Sequence, residues 1–279
     1  MNLAYAGSHS PESPQENSNK TLGGQRGIMA TVVARPCSPP RLLNAVPGCR
    51  YDHLFFTSMA LLMLGTVFVG FAHSYYLAGI FGAPLPSLII HLHGAAFSCW
   101  ILLLVTQTSL VAAGRVTIHR RLGIAGFILA CFMVMLGVLA ATDSLGRGTG
   151  PSGLDAKFFY VIPMTDMLIF ATLVFFAFRA RSNPAAHKRL ILVATTALLI
   201  AAIARWPYTM VHRKPMMAAL ASYVFLLILI AYDFWSTRKV HRATIWAGAF
   251  LIFVQQIRIP IGKTAAWHAF ASWALSLSK

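Results

Sequence analysis

Residues 53–114 read HLFFTSMALLMLGTVFVGFAHSYYLAGIFGAPLPSLIIHLHGAAFSCWILLLVTQTSLVAAG, a stretch without a single Asp, Glu, Lys or Arg. One helical crossing of a bilayer takes about 20 apolar residues. The stretch therefore holds two crossings and a turn, GAPLPS, around Pro84 and Pro86. Backbone polar groups in lipid must bond within their own segment, so the crossings are expected to be helices. The whole chain agrees: of 279 residues, 57% are hydrophobic and 11% charged, too few polar side chains to coat a soluble globule of this size. Secreted, nuclear and ordinary cytosolic readings fall on that count.

Working outward, the same reading gives seven apolar segments, at 54–80, 86–113, 121–142, 157–179, 188–206, 216–235 and 242–259. Glycine- and proline-bearing loops separate them, among them GRGTGPSG (146–153), RSNP (181–184) and WPYTMVHRKP (206–215). The expected fold is an all-α integral membrane bundle of seven transmembrane helices, forming one domain over 51–279. A short C-terminal helix is expected to lie along the outer interface, because Trp267, Phe270, Ala274 and Leu277 recur at helical spacing. Residues 1–50, rich in Ser, Pro, Asn and Gly, cannot bury enough apolar area to offset chain ordering and are expected to be a disordered leader. Met29 opens a second plausible start, MATVVARP.

Lys and Arg outnumber Asp and Glu by 23 to 7, but in short clusters between apolar segments instead of one stripe. That pattern argues for a lipid bilayer as partner and against nucleic acid. With the N-terminus inside, 15 of the 23 fall on the cytoplasmic side and 8 on the other. The expected topology is a multi-pass inner-membrane protein with a cytoplasmic N-terminus and an external C-terminus. Cys37, Cys49, Cys99 and Cys131 form no CxxC, so neither a disulfide framework nor a zinc site is expected. Small residues at Gly126, Ala130, Gly137 and Ala141, and at Ala194, Ala197 and Ala201, mark faces that should turn into the bundle.

Histidine and the few intramembrane charges carry what chemistry there is. His119-Arg-Arg-Leu-Gly, His187-Lys-Arg-Leu and His241-Arg open the third, fifth and seventh segments, a weak internal repeat on the cytoplasmic side. They are ligands for haem or quinone, or interfacial anchors beside cations. On the outer side, His73 near the end of the first segment and His91 and His93 near the start of the second reach similar depth, about 8–11 Å below the helix ends at 1.5 Å per residue. An unpaired imidazole there is costly, which makes each a candidate cofactor ligand. His91 and His93 point about 200° apart on a helix, so one of them is expected to pair with His73. His93 is favoured as the inward ring, on a face continuing through Trp100 and Gln107. His73 and His93 could then hold b-type haem or copper, with His91 as substitute; buried histidines bonded to helix carbonyls are the plainer reading. Asp166, three residues after Pro163, has Arg205 as its nearest expected partner, with Asp143, Gln255, Gln256 and Arg258 assigned to the same side, and with Arg205 and Gln107 it is expected to form an outer polar pocket. Asp233 is expected to pair with Arg238 or Arg242. No Walker loop, GxGxxG, HExxH or GxSxG occurs.

The boxes HLHG (91–94), TQTSLVAAGRVTIHRRLGIAG (106–126), AHKRLILVATTALLIAAIARWP (186–207) and AYDFWSTRKVH (231–241) resemble those of uncharacterised bacterial multi-pass membrane proteins over Tyr51 to Trp273. The resemblance implies an inner-membrane bundle of about seven helices and no particular reaction. Three functions follow from the residues: a cofactor-binding redox protein using the outer histidines, a proton- or ion-coupled carrier using Asp166, and a membrane scaffold.

Overall fold

The computed structural model describes residues 47–84, 86–148, 150 and 154–277, with side chains from Tyr51 onward. The leader expectation falls outside these residues except at its end, where the first helix already begins at Pro47. Every regular element among the described residues is helical: α1 (Pro47–Phe71), α2 (Ala78–Phe81), α3 (Leu88–Ala112), α4 (Val116–Gly146), α5 (Ala156–Arg179), α6 (Pro184–Ile203), α7 (Pro215–Thr237), α8 (Arg242–Gly262) and α9 (Ala265–Leu277). A π-helical turn, Ala72–Tyr76, ends α1, and a 3₁₀ turn, Ala180–Ser182, follows α5. Seven of these helices, all but α2 and α9, are long and apolar enough to cross a membrane, and they coincide with the seven segments of the sequence.

Local chemistry starts the helices. The Asp155 carboxylate accepts the Phe158 N–H (2.8 Å) at the head of α5. The Asn183 amide oxygen accepts the Ala186 N–H (3.3 Å) at the head of α6, where Pro184 needs no partner for a missing N–H. Pro215 opens α7 in the same way.

Lipid tails are as apolar as leucine, so burial alone does not pair membrane helices; close approach and polar ties do. Helix α6 lies at the centre, touching α1, α5, α7 and α8, while α3 and α4 complete a second tier between α1 and α5. Gly70 of α1 sits so close to the Ala202 carbonyl of α6 that no Cβ would fit. Gly126 makes room for Leu103 of α3, and Gly137 for Met167 of α5. The Trp100 indole N–H donates to Thr195 Oγ1 (3.2 Å) across α3 and α6. The small-residue faces turn inward as expected, with one correction: Ala201 is exposed, and its neighbour Ala202 takes the close contact with α1. Leu102, Phe132, Phe175, Leu227 and Phe253 point outward, an apolar girdle that only lipid covers without cost.

Helix α9 forms over the residues expected for the interfacial helix. It packs Ala271 and Ala274 against Ala141, Leu145 and Tyr160, and the Trp267 indole donates to the Lys157 carbonyl (2.8 Å). The bundle has a proximal end, where α1 begins, and a distal end, which carries α9.

Candidate functional site

The distal histidines lie near one another in sequence depth, yet each is engaged separately. His73, in the π-helical turn, is exposed and stacks on Phe81, with ring centres 4.6 Å apart. His91 is exposed beside Tyr75 (5.5 Å), whose hydroxyl donates to the His91 carbonyl (3.1 Å). His93 is the inward ring, half-buried against Phe97 (4.1 Å), with its Nδ1 buried and without a partner. Among the described residues no two distal imidazoles make ring contact, and no group of three or more His, Cys, Asp or Glu side chains is placed to hold a metal. His73 and His93, the pair expected to hold haem or copper, with His91 in reserve, are thus each packed against a different aromatic ring and not against one another. The physical reason lies in the π turn: it rotates Tyr75 and Tyr76, not His73, toward α3. Tyr76 Oη bonds Ser98 Oγ (2.8 Å), and the Tyr75 ring lies over Gly94, where a Cβ would stand 2.9 Å from it. The glycine of the HLHG box thus serves packing.

The middle of the bundle holds the unexpected pairing. Asp166 on α5 accepts Arg258 Nη1 at 2.7 Å, with Asp166 8% and Arg258 2% exposed. Arg205, the expected partner, turns away: its Nη1 donates to the Ala201 carbonyl (2.6 Å) and its guanidinium lies over Phe71 (4.8 Å). A residue just past the end of α6 cannot reach back to Asp166 ten residues into α5, whereas Arg258, on the adjoining α8, extends toward the middle from one turn inside its helix. Next to this pair Gln255 is 2% exposed, and both its amide oxygen and nitrogen lack a partner. Gly262 against Phe158 and Val161, with Arg258 against Asp166, defines an antiparallel register of α5 and α8. That register sets Gln255 level with the turn that follows Asp166. Among the described residues Arg258 makes this one side-chain hydrogen bond, although a guanidinium has five N–H groups to satisfy.

Gln107 belongs elsewhere. Fourteen residues separate it from His93, about 21 Å along a helix, so a shared face carries it to the proximal end. There its amide, with the oxygen accepting the Gly123 N–H (3.0 Å), lies 2.6 Å from His119 Nδ1.

The proximal end also contains the most heavily bonded carboxylate. Asp233, completely buried on α7, accepts Arg189 Nε (2.9 Å) and Nη2 (2.6 Å) on one oxygen. Its other oxygen accepts Thr244 Oγ1 (2.6 Å) and the His241 N–H (3.1 Å). Arg189, rather than Arg238 or Arg242, is thus its partner, because it projects from the first turns of α6 directly onto α7. Beside it Asp52 accepts Lys188 Nζ (2.5 Å) and Tyr232 Oη (2.6 Å), and the Lys188 ammonium stands over the Phe56 ring (4.5 Å). His241 caps α8 by accepting the Ala243 N–H on Nδ1 (3.1 Å), and burial, with the nearby Arg189 charge, holds it below the ordinary imidazole range.

No family model, no curated protein and no solved structure matches the chain. The chain is an all-helical protein with seven apolar helices fit to span a membrane, in contact with lipid.

Proposed function

We propose that the protein is a proton-coupled carrier of small anions, with Asp166 and Arg258 as its exchange centre. The observation that carries this reading is an ion pair in the apolar middle of the bundle beside a glutamine whose amide has no partner. Such a pair adds little or nothing to stability over apolar residues of the same volume, and ionisable residues inside membranes are functional-site candidates by default. An unpartnered buried amide costs about 1–3 kcal/mol, which a second conformation that bonds Gln255 would recover.

The chemistry follows from charge balance. When Asp166 takes a proton, Arg258 is left as an uncompensated buried cation, and an anion entering beside it restores neutrality, with Gln255 supplying an amide donor. Leaving Asp166 as a carboxylate again ejects the anion. Proton and monovalent anion move together, so transport is electroneutral. The excess of Lys and Arg at the proximal end supports a cytoplasmic N-terminus in a bacterial inner membrane, with uptake running from the distal side.

The test is uptake of radiolabelled pyruvate, lactate and nitrate into proteoliposomes. An inward proton gradient should drive accumulation of at least one of them, an imposed membrane potential should not, and Asp166→Asn should abolish the gradient dependence. Full gradient-driven uptake by Asp166→Asn discards the reading. The outer histidines His73, His91 and His93, each packed against a different aromatic side chain, support the redox alternative less well.

A further inference from the structure

Gln255 stands three residues before Arg258 on α8, so the two side chains share one face of the helix. It is 2% exposed, and among the described residues neither its Oε1 nor its Nε2 has a partner. A side-chain amide is a donor at nitrogen and an acceptor at oxygen. Gln255 therefore lacks an acceptor and a donor at once. The ion pair beside it brings one kind of group on each side: the Arg258 guanidinium is all donors, and the Asp166 carboxylate all acceptors. A ligand that satisfies this face must carry negative charge for Arg258, an acceptor for Gln255 Nε2 and a donor for Gln255 Oε1.

We infer that the anion carried past Asp166 and Arg258 is a 2-hydroxycarboxylate, such as lactate or glycolate, and that Gln255 is the residue that selects it; the inference rests on the carrier reading. The carboxylate takes the place beside Arg258 that Asp166 gives up on protonation, and one of its oxygens accepts the Gln255 Nε2–H. The hydroxyl on the adjoining carbon donates to Gln255 Oε1. Amide N–H and C=O lie side by side on one edge of a plane, and a 2-hydroxycarboxylate offers oxygen and O–H in the matching order, so the two hydrogen bonds close a ring. Pyruvate, propionate and nitrate bring acceptors alone. They pair with the amide nitrogen and leave Oε1 a buried acceptor without a donor. A site that bonds a substrate hydroxyl rejects the analogue lacking it for this reason.

Charge narrows the class further. A 2-amino acid has a donor in its ammonium group, but as a neutral zwitterion it does not offset Arg258 once Asp166 is protonated. Bicarbonate is an anion with an O–H, yet together with a proton it becomes carbon dioxide and water, and carbon dioxide crosses lipid without a carrier. The transported proton stays on Asp166 and the hydroxyl keeps its own, so Gln255 adds no charge to the cycle and transport remains electroneutral.

The experiment is proton-gradient-driven uptake of radiolabelled lactate, glycolate, pyruvate, propionate and nitrate, each alone, into proteoliposomes of one preparation, with protein-free liposomes subtracted. In wild type, kcat/KM for lactate and glycolate should exceed that for pyruvate and propionate about 10–100-fold. In Gln255→Leu the ratio should fall to about one, and as a ratio within one sample it is unaffected by loss of folded protein. Thermal shifts in detergent make the same comparison without turnover: lactate should raise the melting temperature of wild type more than pyruvate does, and the two should act equally on Gln255→Leu. Pyruvate, propionate or nitrate taken up by wild type as well as lactate overturns the inference and leaves the carrier reading in place. A Gln255→Leu protein that still prefers lactate, by uptake or by thermal shift, does the same. Accumulation of none of the five anions removes the carrier reading and this inference with it.

Discussion

Two buried carboxylates in this bundle live under opposite conditions. Asp233 at the proximal end receives four hydrogen bonds from Arg189, Thr244 and the His241 backbone, drawn from α6, α8 and the residue that caps α8. Asp166, in the middle, receives one, from an arginine whose neighbour Gln255 is wholly unpartnered. A saturated carboxylate is a fastener, since moving any partner exposes a buried charge. An unsaturated one leaves room for a second arrangement. The difference assigns the proximal end to locking α6, α7 and α8 together and the middle to exchange.

The largest effect expected is on the fastener. Removing one partner of a fully buried pair costs about 3–5 kcal/mol, so Asp233→Ala should lower thermal stability in detergent markedly, by fluorescence-monitored unfolding; a melting temperature equal to wild type would erase the contrast. Next, the double change Asp166→Leu with Arg258→Met should leave stability unchanged or raise it by about 1–4 kcal/mol while transport disappears. A large loss of stability would make this pair a fastener too. Third, Gln255→Leu removes an amide that costs about 1–3 kcal/mol unpaired, so the ground state should melt higher and turnover should slow; a destabilised variant would mean that the amide has a partner in the resting protein.

Which of these features the residues announced depends on what a membrane helix can reveal. Seven crossings, the loops and α9 follow from length and hydropathy alone, because the hydrocarbon thickness dictates segment length. Glycine and alanine at Gly126, Gly137, Ala194 and Ala197 announced inward faces, since close packing needs small side chains. The partners of Asp166 and Asp233 were not legible. A helix that is apolar all round has no polar stripe to orient it, so nothing in the spacing says that α8, and not the end of α6, faces Asp166. Arg258 lies one turn from the end of α8, and the long arginine stem lets its head reach either way from there. Gln107 was drawn toward the outer pocket by seven-residue spacing, which preserves the face of a helix but not the depth. The π turn that separates His73 from His93 has no composition signal of its own.

The smallest effect belongs to His241. Its neutral Nδ1 caps α8, and burial and Arg189 depress its pKa in the folded chain. A depressed histidine stabilises the fold in its neutral form, so its contribution is complete above about pH 6.5, the unperturbed value, and is lost as the pH falls through the lower folded value. A cap of this kind contributes about 0.5–2 kcal/mol. The melting temperature should therefore fall on acidification below neutrality, and His241→Asn, which caps without titrating, should flatten that part of the profile. An unchanged profile would remove His241 from the proximal lock.

The most direct measurement of the central claim is infrared difference spectroscopy of the reconstituted protein at constant pH, before and after adding whichever anion is taken up in the proteoliposome assay. Linkage requires an anion bound at Arg258 to favour a proton on Asp166. The account predicts that the anion raises a protonated-carboxyl band in wild type and that the band is missing in Asp166→Asn. A band of equal size in Asp166→Asn, or none in wild type at saturating anion, would contradict it.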